Sequence, residues 1–285
     1  MLHAMLSGNS FMQSEIPSAP VHLYQIAYSE KTLAEVEPGY LVLDNLSNSR
    51  PDWFEYWAIR RRLLDQPLDN DSFYGFFSPK FGRKTGLTHG QVTEFVQRHA
   101  EQADVCLFSP QPDMGAFFLN VFEQGETFDP GFTAAFGAFL KATGRTGLLP
   151  NLVMDSRQIV FSNYFVARPA FWREWLTTTE ALFDLCEGED SPVRRQLTES
   201  TSYPGGAQRK VFLLERVASY LLTMQPHWRT KAANPFTMAW SMTRFRDHPQ
   251  EAFISDALKM AFREQGYPEY MQSFARLREL FFKPK

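Results

Sequence analysis

Cysteine is scarce in this sequence: two residues, Cys106 and Cys186, in a chain of 285. Thiols so few and so far apart exclude a disulfide framework and a cysteine-based metal site, and they suit a reducing compartment. Both lie in apolar runs, which reads as buried, inert thiols. Long apolar runs are also missing; nothing approaches the ~20 apolar residues that span a bilayer. The opening MLHAMLSGNSFMQSEIPSAP lacks a basic start and an extended apolar stretch. It is a poor signal peptide and reads as a flexible leader over residues 1–19. Positive charge is not in excess: Lys+Arg 29 against Asp+Glu 32 gives −3, so no global field is available to hold nucleic acid. The patterns G-x-x-x-x-G-K-[ST], G-x-G-x-x-G and G-x-S-x-G are absent, which removes support for a P-loop, a dinucleotide fold and a nucleophile elbow. The six histidines (His3, His22, His89, His99, His227, His248) show no metal-ligand spacing. There is no repeat and no low-complexity tract. The expectation from these absences is a soluble, cytoplasmic, globular protein.

What the chain does have is apolar and aromatic bulk. Hydrophobic residues make up 44% and charged residues 21%, a composition that folds rather than stays disordered. Aromatics reach 15%. They can fill a large core and also offer flat faces to bases or sugars. Short β-rich runs alternate with helical patterns. Strands are expected at Val21–Ala27, Gly39–Leu43, Phe73–Phe77, Asp104–Phe108 and Gln158–Ala167. Helices are expected at Arg50–Leu64, His89–Gln102, Pro130–Ala142, Pro169–Cys186 and Val211–Leu222. The tail, Pro249–Phe282, reads as two helices split at Gly266-Tyr267-Pro268. Glu187–Gln208 is polar, carries Pro192, Pro204 and Gly205-Gly206, and reads as a mobile segment or a lid. This is the pattern of an α/β layered domain. Ligand chemistry in such folds gathers beyond the carboxyl ends of strands. The segments to watch are therefore Ser29-Glu30, Asp44–Ser49, Ser78–Lys84 and Ser109–Asp113.

Within Ser78-Pro79-Lys80-Phe81-Gly82-Arg83-Lys84, three cations and a glycine follow a buried strand. Such a loop can hold a polyanion, since cations offset phosphate charge and Gly82 admits close backbone approach; it can equally be a solvated basic turn. Asp69-Asn70-Asp71 spells D-x-D but precedes its strand, so it reads as a surface turn. Asp44-Asn45 sits at a strand end, where it can meet a base, a ribose hydroxyl or nothing. Glu215 lies inside VFLLERVASYLL and is expected to be largely buried, either as a general base or in an internal ion pair with Arg216. Glu55, in DWFEYWAIR, is a similar polar island. The final amphipathic helix, with Tyr267, Tyr270, Met271, Phe274, Leu277 and Phe281 at helical spacing, can lie on a membrane or pack on its own domain.

Four ordered segments resemble bacterial glycosyltransferases of polysaccharide assembly with a GT-A-like nucleotide-sugar fold. They are Glu55–Leu63 (EYWAIRRRL), Phe73–Phe81 (FYGFFSPKF), Asn163–Trp175 (NYFVARPAFWREW) and Phe212–Tyr220 (FLLERVASY). The resemblance covers about residues 21–224. It implies a transferase domain over 20–226, with a mixed central sheet flanked by helices, and a C-terminal helical extension over 227–285 packing on it. The activity it implies moves a sugar from a nucleotide-sugar donor to a growing lipopolysaccharide, O-antigen or capsule glycan, held on a lipid carrier at the inner face of the cytoplasmic membrane. Peripheral contact through the C-terminal helix would suit that place. Glu215 would be the base of an inverting displacement. Ser29, Asp44, Asn45, Ser78, Lys80, Arg83, Lys84, Asn163 and Arg216 would contact substrate. No convincing D-x-D follows the central strand, so Lys and Arg are expected as the main stabilisers of the departing diphosphate, with a divalent Mg or Mn ion optional. Two alternatives remain: a non-catalytic glycan- or partner-binding protein keeping this fold, and another nucleotide-dependent transferase. The transferase reading requires the cations near residue 80 and the Glu215 carboxylate to face one crevice.

Overall fold

A computed structural model describes residues 19–282; the expected leader lies outside them but for its last residue. The chain runs β1 (Val21–Ala27), α1 (Glu30–Ala34), β2 (Leu41–Asp44), α2 (Glu55–Asp65), β3 (Phe73–Phe77), α3 (Phe81–Thr85), α4 (His89–His99) and β4 (Val105–Leu107). It continues through α5 (Pro112–Ala116), α6 (Val121–Phe128), α7 (Phe132–Ala142), β5 (Phe165–Ala167), α8 (Pro169–Glu187) and α9 (Pro192–Thr198). It closes with α10 (Arg209–Met224), β6 (Thr230–Ala232), α11 (Pro249–Gln265) and α12 (Pro268–Phe282). The strands form one mixed sheet in the order β2-β1-β3-β5-β4-β6. Only β5 runs against its neighbours; β1 pairs β2 and β3 in parallel, and β4 pairs β6 in parallel. The protein is therefore α/β.

Side chains alternate across the sheet, as strand geometry requires. Along β3, Phe73 and Phe77 enter one apolar cluster with Val92, Val96 and Phe108, while Tyr74 and Phe76 enter the other with Trp172 and Trp175. Gly75 lies between them, and a Cβ there would sit 2.8 Å from Val166 Cγ2 on β5. The two cysteines are buried, and burial pushes each thiol up to about 12.

Several elements differ from expectation for physical reasons. The expected strand Gln158–Ala167 shrinks to β5, because Ser162 and Asn163 both take left-handed conformations (φ 59° and 54°) and turn the chain. The helix expected over Arg50–Leu64 breaks at Phe54 (φ 47°) into a single 3₁₀ turn, Pro51–Trp53, followed by α2. The Lys80–Lys84 loop coils into α3, closed by Gly86 in the left-handed region. The Glu187–Gln208 segment contains α9, whose Leu197 is fully buried, and a Ser200–Gln208 bridge. Residues 230–232 follow the expected boundary at 226, yet they form β6, so the sheet draws on both segments.

The two tail helices fall where the Gly266-Tyr267-Pro268 break places them. Phe274 and Phe281 are buried, and Phe281 and Phe282 pack on Phe117 and Phe118. The apolar stripe of α12 is thus used against its own domain. No helix among the described residues is long and apolar enough to cross a membrane.

Two outcomes follow. Truncation after Gly266 should expose the Phe117–Phe118 core and yield insoluble or markedly destabilised protein; a truncated chain melting at the parental temperature would disprove the packing role. Gly75→Ala should cost about 1–3 kcal/mol in urea unfolding through overpacking against Val166.

Candidate functional site

The carboxyl ends of β1, β2 and β3 lie side by side, and the chain reverses its order of strand addition between β1 and β3. Crevices form at such switch points. Here one of about 280 Å³ is lined by Ile26 near the end of β1 and Tyr28 just beyond it, Asn45 and Asn48 after β2, and Pro79 and Lys80 after β3. Pro51, Phe54 and Glu55 complete it from the turn leading into α2. Tyr28 and Phe54 are both exposed aromatics. Phe54 and Asn48 hold positive φ angles (47° and 38°), conformations that cost energy for non-glycine residues and persist only where the surroundings enforce them. Asn45 is 3% exposed, yet its Oδ1 has no hydrogen-bond partner. A buried acceptor without a partner costs energy, and a turn of the side chain toward the crevice would offer it a donor.

Charge gathers on the far side of Glu55. Burial pushes its carboxyl above the ordinary value; the Glu215 charge adds to the shift, and Lys84 and Lys80 oppose it. Lys84 is pushed down by burial and held up by Glu215 and Glu55. Its Nζ donates to Ser162 Oγ at 2.8 Å and stands 5.5 Å from the Tyr164 ring centroid. The Tyr164 hydroxyl shares a 2.6 Å hydrogen bond with Ser78 Oγ. The Lys84 cation and the carboxylate at 215 therefore act on one another, and both act on Glu55.

The expected residues divide into those that meet at this place and those that do not. Asn45 and Lys80 line the crevice beside Glu55; Lys84 and Glu215 are not in its lining but lie near enough for their charges to act on Glu55, and Arg83 is exposed on α3, where its charge acts on Lys84 and Tyr164. Asn163 is buried beside Ser162, with its Oδ1 unpartnered. Ser78 is buried beneath the crevice in its bond to Tyr164. Ser29 uses its hydroxyl to cap α1 at Thr32, and Tyr28 lines the crevice in its place. Asp44 accepts from the Leu46 amide and borders a different groove, between β2 and α2. Glu215 is less buried than expected, with its side chain 30% exposed. Arg216 points the other way: it is buried, donates to Val121 O and Gln124 Oε1, and stacks on Phe161. It braces Glu215 from behind (Nη1 to Oε2, 3.3 Å) instead of reaching the crevice. Asp69 caps its own turn through Ser72 and Asp71, as a surface turn should.

Tyr28, Asn48, Phe54 and Tyr164 were not singled out from the sequence. Asn48 falls within the strand-end segment Asp44–Ser49 and Tyr28 directly precedes Ser29, so position supplied a signal for those two. Among the described residues no three His, Cys, Asp or Glu side chains gather into a metal cage. No protein-family model, curated protein or solved structure matches the chain.

The site is held from behind by one ion pair. Lys210, buried at the start of α10, donates to Asp52 Oδ2 at 2.7 Å and lies 4.1 Å above the Trp53 ring. Hydrogen bonds from Arg50 and Lys210 hold the Asp52 carboxyl down at about 2. A folded-state pKa below the unfolded value of ~3.9 contributes stability above about pH 4 that is lost as pH falls toward 2. Asp52 is partly exposed but the Lys210 ammonium is buried, so Asp52→Asn should cost about 3 kcal/mol at pH 7 by leaving that ammonium without its carboxylate. The deficit should narrow by pH 3 in urea titrations; an equal deficit at both pH values would count against the assignment.

Proposed function

We propose that the protein is a nucleotide-sugar-dependent glycosyltransferase with a GT-A-like arrangement, acting on a bacterial surface glycan. The observation that carries the reading is the crevice beyond the β1–β3 switch point, lined by Asn45, Glu55 and Lys80, with the charges of Lys84 and Glu215 acting on Glu55. A donor fits that sequence of chemistries. Its nucleoside enters between Tyr28 and Phe54, with a base or ribose donor group on the free Asn45 Oδ1. Its diphosphate lies along Lys80, Arg83 and Lys84, and its sugar faces the carboxylates.

Glu215 then takes the proton of the acceptor hydroxyl as that oxygen attacks the anomeric carbon. The bond from the anomeric carbon to the phosphate oxygen breaks, and both electrons leave with the nucleoside diphosphate. Lys80, Arg83 and Lys84 offset the charge that develops there. The raised proton affinity of Glu55 suits it to hold a hydroxyl of the acceptor or sugar. A divalent Mg or Mn ion, which takes one or two carboxylates beside the donor phosphates, would add to that neutralisation if bound. The acceptor is a glycan or lipid-linked glycan reached from the open side of the crevice, on the cytoplasmic side of the membrane.

Uridine and cytidine diphosphates should raise the melting temperature, because a ligand at about 100 times its Kd stabilises the folded state by about 2.7 kcal/mol. Lys80→Ala should weaken that shift. Glu215→Gln should keep the shift and lose at least about 10²-fold in donor turnover with acceptor present. A glycan- or partner-binding protein would be indifferent to Glu215→Gln, and a transferase of another group would show no dependence on the sugar. No shift with any nucleotide of a panel would remove the donor site.

A further inference from the structure

Helix α11 is built inside out. Ala252, Ser255, Asp256 and Lys259, at i, i+3, i+4 and i+7, are its buried face. Asp256 accepts from Ser156 N and Oγ at 2.8 and 2.7 Å. Lys259 Nζ donates to the carbonyls of Gly115 and Phe118 at 2.7 and 2.9 Å, and Arg263 donates to Val153 O at 2.7 Å. The helix is thus seated through polar contacts. Phe253, Ile254, Ala257, Met260 and Ala261, at i, i+1, i+4, i+7 and i+8, share the opposite face. Phe253 is 38% and Ile254 49% exposed. A surface helix ordinarily has the reverse arrangement.

The apolar surface continues onto the loop before α11. Phe236 and Trp240 pack on Phe253 at ring separations of 4.6 and 6.4 Å, and Met242 is 89% exposed. Arg244 and Arg246 are exposed beside it, and neither has a carboxylate partner among the described residues; Arg244 Nη2 donates to the Phe281 carbonyl, which leaves its other N–H groups to solvent, and Arg246 Nη1 rests 3.5 Å from the Met242 sulfur. Aliphatic and aromatic side chains beside unpaired arginines match the bilayer interface, where apolar groups enter the acyl boundary and cations meet phosphate. A two-fold contact with a second copy would instead bring the same unpaired arginines toward each other. Asp247 and Glu251 lie close in sequence, so apolar area outweighs charge in the attraction.

We propose that the outer face of α11, with Met242, Phe253 and Ile254 inserted and Arg244 and Arg246 at the phosphates, rests on a lipid bilayer. This surface is separate from the stripe of α12 and stands independently of the transferase reading. The full-length protein is sedimented with phosphatidylcholine vesicles with and without phosphatidylglycerol, and its mass is followed over a concentration series. The parent should sediment with both and more strongly with the anionic mixture. The triple variant Met242→Ser, Phe253→Ser, Ile254→Ser should lose more than about tenfold in partitioning at unchanged melting temperature. Arg246→Gln should lose about fivefold on the anionic vesicles alone. No sedimentation of the parent, or equal sedimentation of the triple variant, overturns the proposal. So does a concentration-dependent dimer that the triple variant abolishes without vesicle binding. The nucleotide-induced thermal shift of the triple variant reports separately on the donor site.

Discussion

Two adjacent cations are buried where they are least welcome, in the first turn of α10 at the positive end of its dipole. Arg209 and Lys210 are each 3% exposed. Charges so placed must be paired, because breaking a buried pair leaves a desolvated charge that costs several kcal/mol. Arg209 takes Asp129 and Glu199, joining the end of α6 and the segment after α9 to α10. Lys210 takes Asp52, and Asp52 and Glu187 share Arg50, so the turn before α2 is tied to both α10 and α8. The Lys210–Asp52 pair thus joins the turn that leads to Glu55, three residues beyond Asp52, to the helix that carries Glu215, five residues beyond Lys210, and the shared apolar core backs it.

The sheet was legible where strands are both short and apolar. Val21–Ala27 and Phe73–Phe77 appear with the expected ends, since Pro20 and the Ser78-Pro79 pair punctuate them. What escaped lay where local pattern and tertiary structure part company. Thr230–Ala232 has no apolar run and joins the sheet only because β4 offers it an edge. Pro112–Ala116 and Val121–Phe128 are short helices, and the second starts at Asn120, which caps it at Phe122 and Glu123 and also donates to the carbonyls of Leu149 and Leu152. Ser162 and Asn163 ended a run that alternation alone would extend, because nothing in their identity requires a left-handed pair.

The candidate site was half legible. Strand ends pointed to Asn45 and Lys80, and a polar residue within an apolar helix pointed to Glu215 and Glu55. Direction around the helix was not legible to the same degree: Arg216, one residue beyond Glu215, turns about 100° away into the core, where Gln124 and Phe161 receive it. Phe54 was hidden because its importance comes from a backbone angle, and Tyr164 because its role is to seat Ser78 and Lys84 from beneath.

The buried thiols have a practical consequence. Cys106 is the central residue of β4 and Cys186 lies on the buried face of α8, both closed to solvent and both reluctant to ionise. Thiolate is the form that alkylating dyes consume. A cysteine introduced on an exposed position, such as the rim at Arg83 or the outer face of α11, would therefore outcompete both natural thiols for a maleimide. Fluorophores or spin labels can be attached at chosen points without first stripping the chain of its own sulfur.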